Sequence, residues 1–406
     1  MRPSASKRDS LGEDVTPRGA CRRSAPPVSL LTQITGSHSL RPAGRPDRRH
    51  PLDALFLTAA ALAAAVLISA AAPGAAAGPA PAALAWGVQK SGTDASLRGV
   101  SAVDDKIAWA SGGKGTVLRT VDGGKTWARV PVPKAESIDF RDIQAFSADS
   151  AVVLAVGRPA HIFRTDDGGA TWTETYADDT PGIFLDAFAW FDETTALALG
   201  DPIEGRFVLV TTSFGGRNWT FMPEPCRPPA EKGESAFAAS GTCLAVRAEG
   251  NVWFVTGGTV SRILHSRDWG KTWEAVPSPL RSGTDSLGAF SVAFLDGKNG
   301  IVVGGDYRDE AAAEKNAAWT ADGGTTWTLA GDKRPGGFRE CVAFAPAAAG
   351  NLAVAVGPSG SDVSTDMGRN WAPLAGPAGF HSLSFAATGR AAWAVGKNGL
   401  IARLSY

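Results

Sequence analysis

A short turn motif recurs six times and constrains the fold more than any other feature of the chain. Its pattern is Ser/Thr-x-Asp-x-Gly-x-Thr/Asn-Trp. The copies begin at Thr120, Thr165, Thr212, Ser266, Thr320 and Ser364 and end at Trp127, Trp172, Trp219, Trp273, Trp327 and Trp371. The Trp residues are 45, 47, 54, 54 and 44 positions apart. A period in the forties corresponds to one four-stranded blade of a β-propeller. In such a turn an Asp carboxylate accepts hydrogen bonds from turn N–H groups. The Gly allows positive φ, and the Trp fills the space between neighbouring hairpins.

Asp122, Asp167, Asp268, Asp322 and Asp366 hold the acidic position, and Phe214 replaces it in the third copy. Each Asp falls on a different repeat, so they cannot converge on one ion or one substrate. They read as structural residues. Before each turn runs an apolar strand, a Gly-rich turn and a second apolar strand, as in Ala108 to Arg119 and Ala392 to Arg403. Upstream of each hairpin lies one more strand, near residues 97, 140, 184, 243, 290, 341 and 382. Seven first strands stand against six Trp turns. The last copy stops at Tyr406 without an outer strand, while residues 85–93 resemble the stretch after a Trp turn in the other copies. The sequence therefore predicts an all-β, seven-bladed β-propeller of four-stranded blades over residues 84–406. The N-terminal strand, residues 85–93, completes the last blade and leaves no open edge.

Residues 1–50 are rich in Arg, Pro and Ser and read as disordered or as a start-site extension. Residues 51–83 carry an uncharged apolar run from Ala54 to Ala72, preceded by Arg48 and Arg49 and trailed by small residues. That order is expected of a signal peptide with a small-residue linker; uncleaved, the run is long enough to anchor in a membrane. The body is thus expected to be exported, to a periplasmic or extracellular location. Residues 1–83 hold ten Lys/Arg and five Asp/Glu, so the mildly acidic remainder argues against nucleic-acid binding. None of the four cysteines forms a C-x-x-C pair. Cys226 and Cys243 are the nearest candidates for a disulfide, with buried thiols as the alternative.

These motifs resemble the BNR/Asp-box propellers. The combination of Leu97-Arg-Gly-Val-Ser101, Gly-x-x-Gly-x-Ile/Val-x-Arg-Thr and Asp-Gly-Gly-x-Thr-Trp is similar to the photosystem II stability/assembly-factor-like family. That resemblance implies a non-catalytic assembly factor that grips an extended segment of a protein partner, such as a membrane-protein tail, with an Arg-rich patch. In a phototroph the implied location is lumenal. One propeller fold hosts many activities, so function has to be read from the loops.

Loops between blades and the turn after each second strand share the face opposite the Asp turns. They offer Arg98, Arg141, Asp186, Arg339, Glu340 and His381 beside the first strands. The second-strand turns and the segments that break the repeat offer Asp201, Glu234, Asp306, Tyr307, Arg308 and Lys397. The arginines are expected to make a basic mouth, and Asp201, Glu234, Asp306 and Tyr307 to line one pocket. Solvated charge and loop drift explain the same residues without a ligand.

The second functional class is a sialidase-like glycoside hydrolase or a glycan-binding propeller, because sialidases share the Asp turns. A retaining sialidase needs a Tyr nucleophile with a carboxylate partner. Only Tyr176, Tyr307 and Tyr406 exist, and Tyr307 with Asp306 and Glu310 is the single faint match. No G-x-G-x-x-G opens a helix and no C-x-x-C-H occurs, so no cofactor and no metal are expected. The chain is expected to act as a monomer.

Overall fold

A computed structural model describes residues 84–346, 349–388 and 390–406. The expected disordered extension and signal peptide lie outside the described residues. Seven antiparallel sheets succeed one another along the chain. Their inner strands are Leu97–Ala102, Asp139–Ala145, Leu185–Trp190, Leu244–Arg247, Thr284–Phe294, Cys341–Phe344 and Phe380–Phe385. Each contacts its two neighbours, and the last contacts the first, so the ring is closed.

Alternating apolar residues make these strands, with the bulk supplied by second and third strands that are buried on both faces. Trp109, Trp253 and Trp393 on second strands are fully buried, each adding on the order of 2–3 kcal/mol of apolar burial. All three indole N–H groups are satisfied: Trp109 donates to the Ser147 carbonyl, Trp253 to the Gly323 carbonyl and Trp393 to Gln89.

The seventh blade is completed as expected. Strand Ala85–Gln89 pairs with Ile401–Ser405, with Ala85 opposite Ser405 and Gln89 opposite Ile401. The strand is shorter than the expected 85–93, because Ser91 and Thr93 turn the chain through local side-chain bonds. Thr120 shows how the turns work. Its Oγ1 accepts from Gly124 N at 2.9 Å and donates to Asp122 Oδ1, while Asp122 accepts from Thr126 N at 3.0 Å and Thr126 Oγ1 at 2.7 Å. Those bonds, led by Thr126 N–H, hold the Asp122 carboxyl down at about 2. The same set of bonds recurs around Asp167, Asp268, Asp322 and Asp366.

Two departures from the plain blade matter. First, strand Glu234–Ser235 pairs with Gly257–Gly258, which pairs with Thr284–Phe294, so the fifth sheet has six strands. Second, Cys243 is a free, fully buried thiol, so the Cys226–Cys243 disulfide is not formed. Cys243 sits at the start of an inner strand, where its main chain is fixed by the Val255 N–H bond to its carbonyl. Among the described residues no helix is long and apolar enough to cross a membrane.

Candidate functional site

The inner strands share one irregularity, and it builds the site. Arg98, Arg141, Asp186, Phe290 and His381 each sit in a register shift against the second strand of their own blade. A bulge turns a side chain out of the sheet's alternation. In the sixth blade Glu340 N bonds the Val356 carbonyl, and Val356 also faces Cys341, which places Glu340 at the matching position. Six blades therefore carry one residue each at the same inner-strand position. The bulge is the signal that sequence reading missed for Phe290.

Consecutive inner strands are tied beside this ring. Ser384 Oγ accepts from Ala102 N, Ser101 Oγ from Ala145 N, Asp142 Oδ2 from Phe188 N and Ser291 Oγ from Val342 N, all at 2.9–3.1 Å. Asp142 thus does what serines do elsewhere. Burial pushes its carboxyl up to about 8, because its two N–H donors do not offset the lost hydration.

The ring is not the basic mouth expected from sequence. Arg98 lies 3.7 Å from Glu340 and 3.3 Å from His381 Nδ1, and His381 Nδ1 lies 2.7 Å from Glu340 Oε2. Burial, and then the neighbouring Arg141 charge, lower the Arg98 pKa. Arg141 Nε donates to Asp139 Oδ2 at 2.7 Å. Arg339 is buried against Asp362, to which its Nε donates at 2.7 Å, and its Nη1 donates to the Ser359 hydroxyl and to the Phe338 carbonyl. Its neighbour Glu340 takes the axial place, so that face carries both signs of charge.

Asp186 is fully buried, and neither carboxylate oxygen has a hydrogen-bond partner among the described residues. Burial, with the nearby Asp201 as the second cause, raises its pKa well above the carboxylate range. Burial also pushes Asp201 up to about 6. No cluster of three metal-ligating side chains occurs among the described residues.

The single pocket expected from Asp201, Glu234, Asp306 and Tyr307 is divided. Asp201 and Glu234 line a polar recess of about 590 Å³ with Glu231 and Lys232. Glu234 is held inside it by Arg262 Nε at 2.9 Å and Thr256 Oγ1 at 2.6 Å. Asp306 and Tyr307 lie outside the recess. Tyr307 stands edge-on to Phe237 and Phe290, with Arg308 over its ring. Asp306 accepts from Arg308 N, Arg308 pairs with Asp285, and Lys397 pairs with Glu310 at 3.0 Å. Tyr307 therefore packs as a wall residue.

The segment between Ser235 and Leu244 crosses the mouth. Ala236 N donates to Asp201 Oδ1, Arg141 Nη1 donates to the Ala238 carbonyl at 2.7 Å, and Ser382 Oγ donates to the Ser240 carbonyl at 2.9 Å. Ser240 Oγ donates to the Glu340 carbonyl and Thr242 Oγ1 to Ser291 Oγ. Side chains or main chain of five other blades thus hold one non-strand segment across the axis.

Residues 79–219 match the family model for photosynthesis system II assembly factor YCF48. The chain resembles the photosystem II assembly-factor propellers. No curated protein matches the chain. Among solved structures, YCF48 from Cyanidioschyzon merolae superposes with a TM-score of 0.57 at 18% identity, over 79% of this chain and 99% of that one. An ancestral GH74 enzyme superposes at 0.55 with 11% identity, over 78% and 46%. A structure of YCF48 bound to D1 peptide aligns over 79% and 97% at 17% identity with a TM-score of 0.39, an overlap too loose to carry residues across. These likenesses show the fold that an assembly-factor-like propeller shares with an enzyme.

Proposed function

We propose that the chain is an exported, non-catalytic assembly-type propeller that holds an extended segment of a protein partner at the axial mouth. One observation carries the reading: Arg141 and Ser382, from blades two and seven, already donate to main-chain carbonyls of a non-strand segment laid across the ring. Donors fixed on bulged or inner-strand positions are rigid, and rigid donors read a backbone at low entropic cost. The family match over residues 79–219 supports an assembly role. The apolar run Ala54 to Ala72 behind Arg48 and Arg49 supports export.

Arg98 and Arg141 stand among Asp139, Asp186 and Glu340, so carbonyl reading and shape, more than excess positive charge, select the partner. A membrane-protein tail meets that requirement. The protein acts as a monomer, with no cofactor, no metal and no nucleic acid.

An array of short synthetic peptides probed with the purified chain tests this reading. A subset of extended peptides should be retained, and Arg141→Ala should weaken retention by about tenfold. Retention of no peptide, together with release of sugar from a sialoside, would replace the binding reading with the hydrolase one.

A further inference from the structure

The segment across the mouth is seated as a ligand would be. The Phe237 ring lies flat on Phe290, with centroids 3.9 Å apart and planes at 4°. Tyr307 stands edge-on at 6.4 Å. The other side of the seat has no side chains: a Cβ at Gly257 would run into the Phe237 ring, and one at Gly288 would come within 3.0 Å of it. Two glycines and two aromatic walls make a slot for one flat ring.

After Phe237 every residue is small: Ala238, Ala239, Ser240, Gly241 and Thr242. Gly241 has a positive φ, and a Cβ there would strike the Asp142 carboxyl, so the main chain passes where only glycine fits. The carbonyls one and three residues beyond Phe237 take Arg141 and Ser382. An anchored ring, two main-chain carbonyls held by the ring, and small residues at close approach are the parts of a peptide-recognition site.

We propose that Ala236–Thr242 is an internal stand-in for the partner. The mouth then takes a protein segment with one aromatic residue before a run of small residues that can turn as Ala238–Gly241 do, and that segment exchanges with the chain's own. This rests on the reading of the mouth as a protein-segment site and names the partner's chemistry. A tethered occupant lowers apparent affinity in proportion to the fraction of time it is seated. Emptying the mouth should therefore strengthen binding.

The test uses the full chain with residues 236–241 replaced by a Gly-Ser run. The probe is a fluorescent synthetic peptide with the sequence of residues 235–242, read by anisotropy. The variant should bind the probe at least about tenfold more tightly than the unaltered chain. A probe with Ala in place of Phe should lose that gain. A variant with unchanged circular dichroism that binds no better than the unaltered chain overturns the inference. The proposed function survives that result if the unaltered chain still retains array peptides through Arg141. Should the variant fail to fold, amide hydrogen exchange on the unaltered chain decides. Residues 238–242 should exchange far faster than inner strand Thr284–Phe294, and equal protection overturns the inference.

Discussion

Gln89, on the strand that opens the propeller, accepts a hydrogen bond from Trp393 of the last blade through Oε1 at 3.2 Å. The same oxygen accepts from Trp127 of the first blade at 3.0 Å, and Gln89 Nε2 donates to the Gly123 carbonyl at 2.9 Å. One amide therefore joins both sides of the closure. Replacing it with Leu would leave two indole N–H groups without an acceptor. Gln89→Leu should cost about 2–4 kcal/mol, read from urea unfolding. A loss within about 0.5 kcal/mol, the range of an ordinary surface substitution, would show that the main-chain pairing of residues 85–89 closes the ring alone.

Arg339 and Asp362 form an ion pair in which both side chains are almost wholly buried. Removing one partner strands the other. Arg339→Ala should destabilise the fold by about 3–5 kcal/mol, while Arg339→Met combined with Asp362→Leu should recover much of that loss. Peptide retention by the double variant should equal that of the parent, because neither side chain is exposed to a partner. Reduced retention with full stability would return Arg339 to the site.

Asp142 carries part of the pH dependence, beside Asp186 and Asp201, whose carboxyls burial also raises. Its folded-state pKa of about 8 lies above that of an unfolded Asp, so the folded chain holds this proton more tightly. The stabilisation is complete below about pH 4 and is lost as pH rises through the folded value near 8. The thermal midpoint should fall between pH 5 and pH 8. Asp142→Asn should reduce that slope and leave the part due to Asp186 and Asp201. It should also lower stability at pH 5 by about 1–3 kcal/mol, since an amide cannot accept from both Ile143 N and Phe188 N. An unchanged slope would assign the dependence to another group.

Phe214 stands where the other turns have Asp, and it is 64% exposed. Thr212 Oγ1 still accepts from Phe214 N and Gly216 N, but no carboxylate meets Asn218. In the equivalent sixth-blade turn, Asp366 accepts from both the main chain and the side chain of Asn370. Phe214→Asp should stabilise the protein by about 0.5–1.5 kcal/mol. A destabilised variant would mean that the exposed ring makes a contact worth more than the missing bonds.

The architecture was legible because its determinants are local. In five of the turns the Thr or Ser, the Asp and the Gly bond within four residues of one another, so their spacing reports the blades and the mismatch of the ends reports the closure. All seven inner strands fall where the pattern puts them. The mouth was legible only as a set of positions. Arg98, Arg141, Asp186 and His381 do share one ring, yet their partners come from distant blades: Arg98 meets His381, and Arg141 meets Ala238. Arg339 looked equivalent to Arg98 because each comes directly after an apolar residue at the start of an inner strand. Its bond to Asp362 and the axial turn of Glu340 depend on a backbone irregularity that a residue pattern does not encode. Phe237 lay inside a segment read only as an insertion. The aromatic residue set among small ones, with Gly257, Gly258 and Gly288 elsewhere, was the available signal.

Partners should meet the axial mouth and not the face of Asp turns. Site-specific photo-crosslinking measures this directly. A photoreactive residue is placed at Tyr307 beside the mouth or at Thr325 in an Asp turn, and the chain is mixed with a peptide retained on the array. Crosslinks from position 307 and none from 325, abolished by excess unlabelled peptide, are the predicted result. Crosslinks from 325 alone, or equal yields from both faces, would contradict the account.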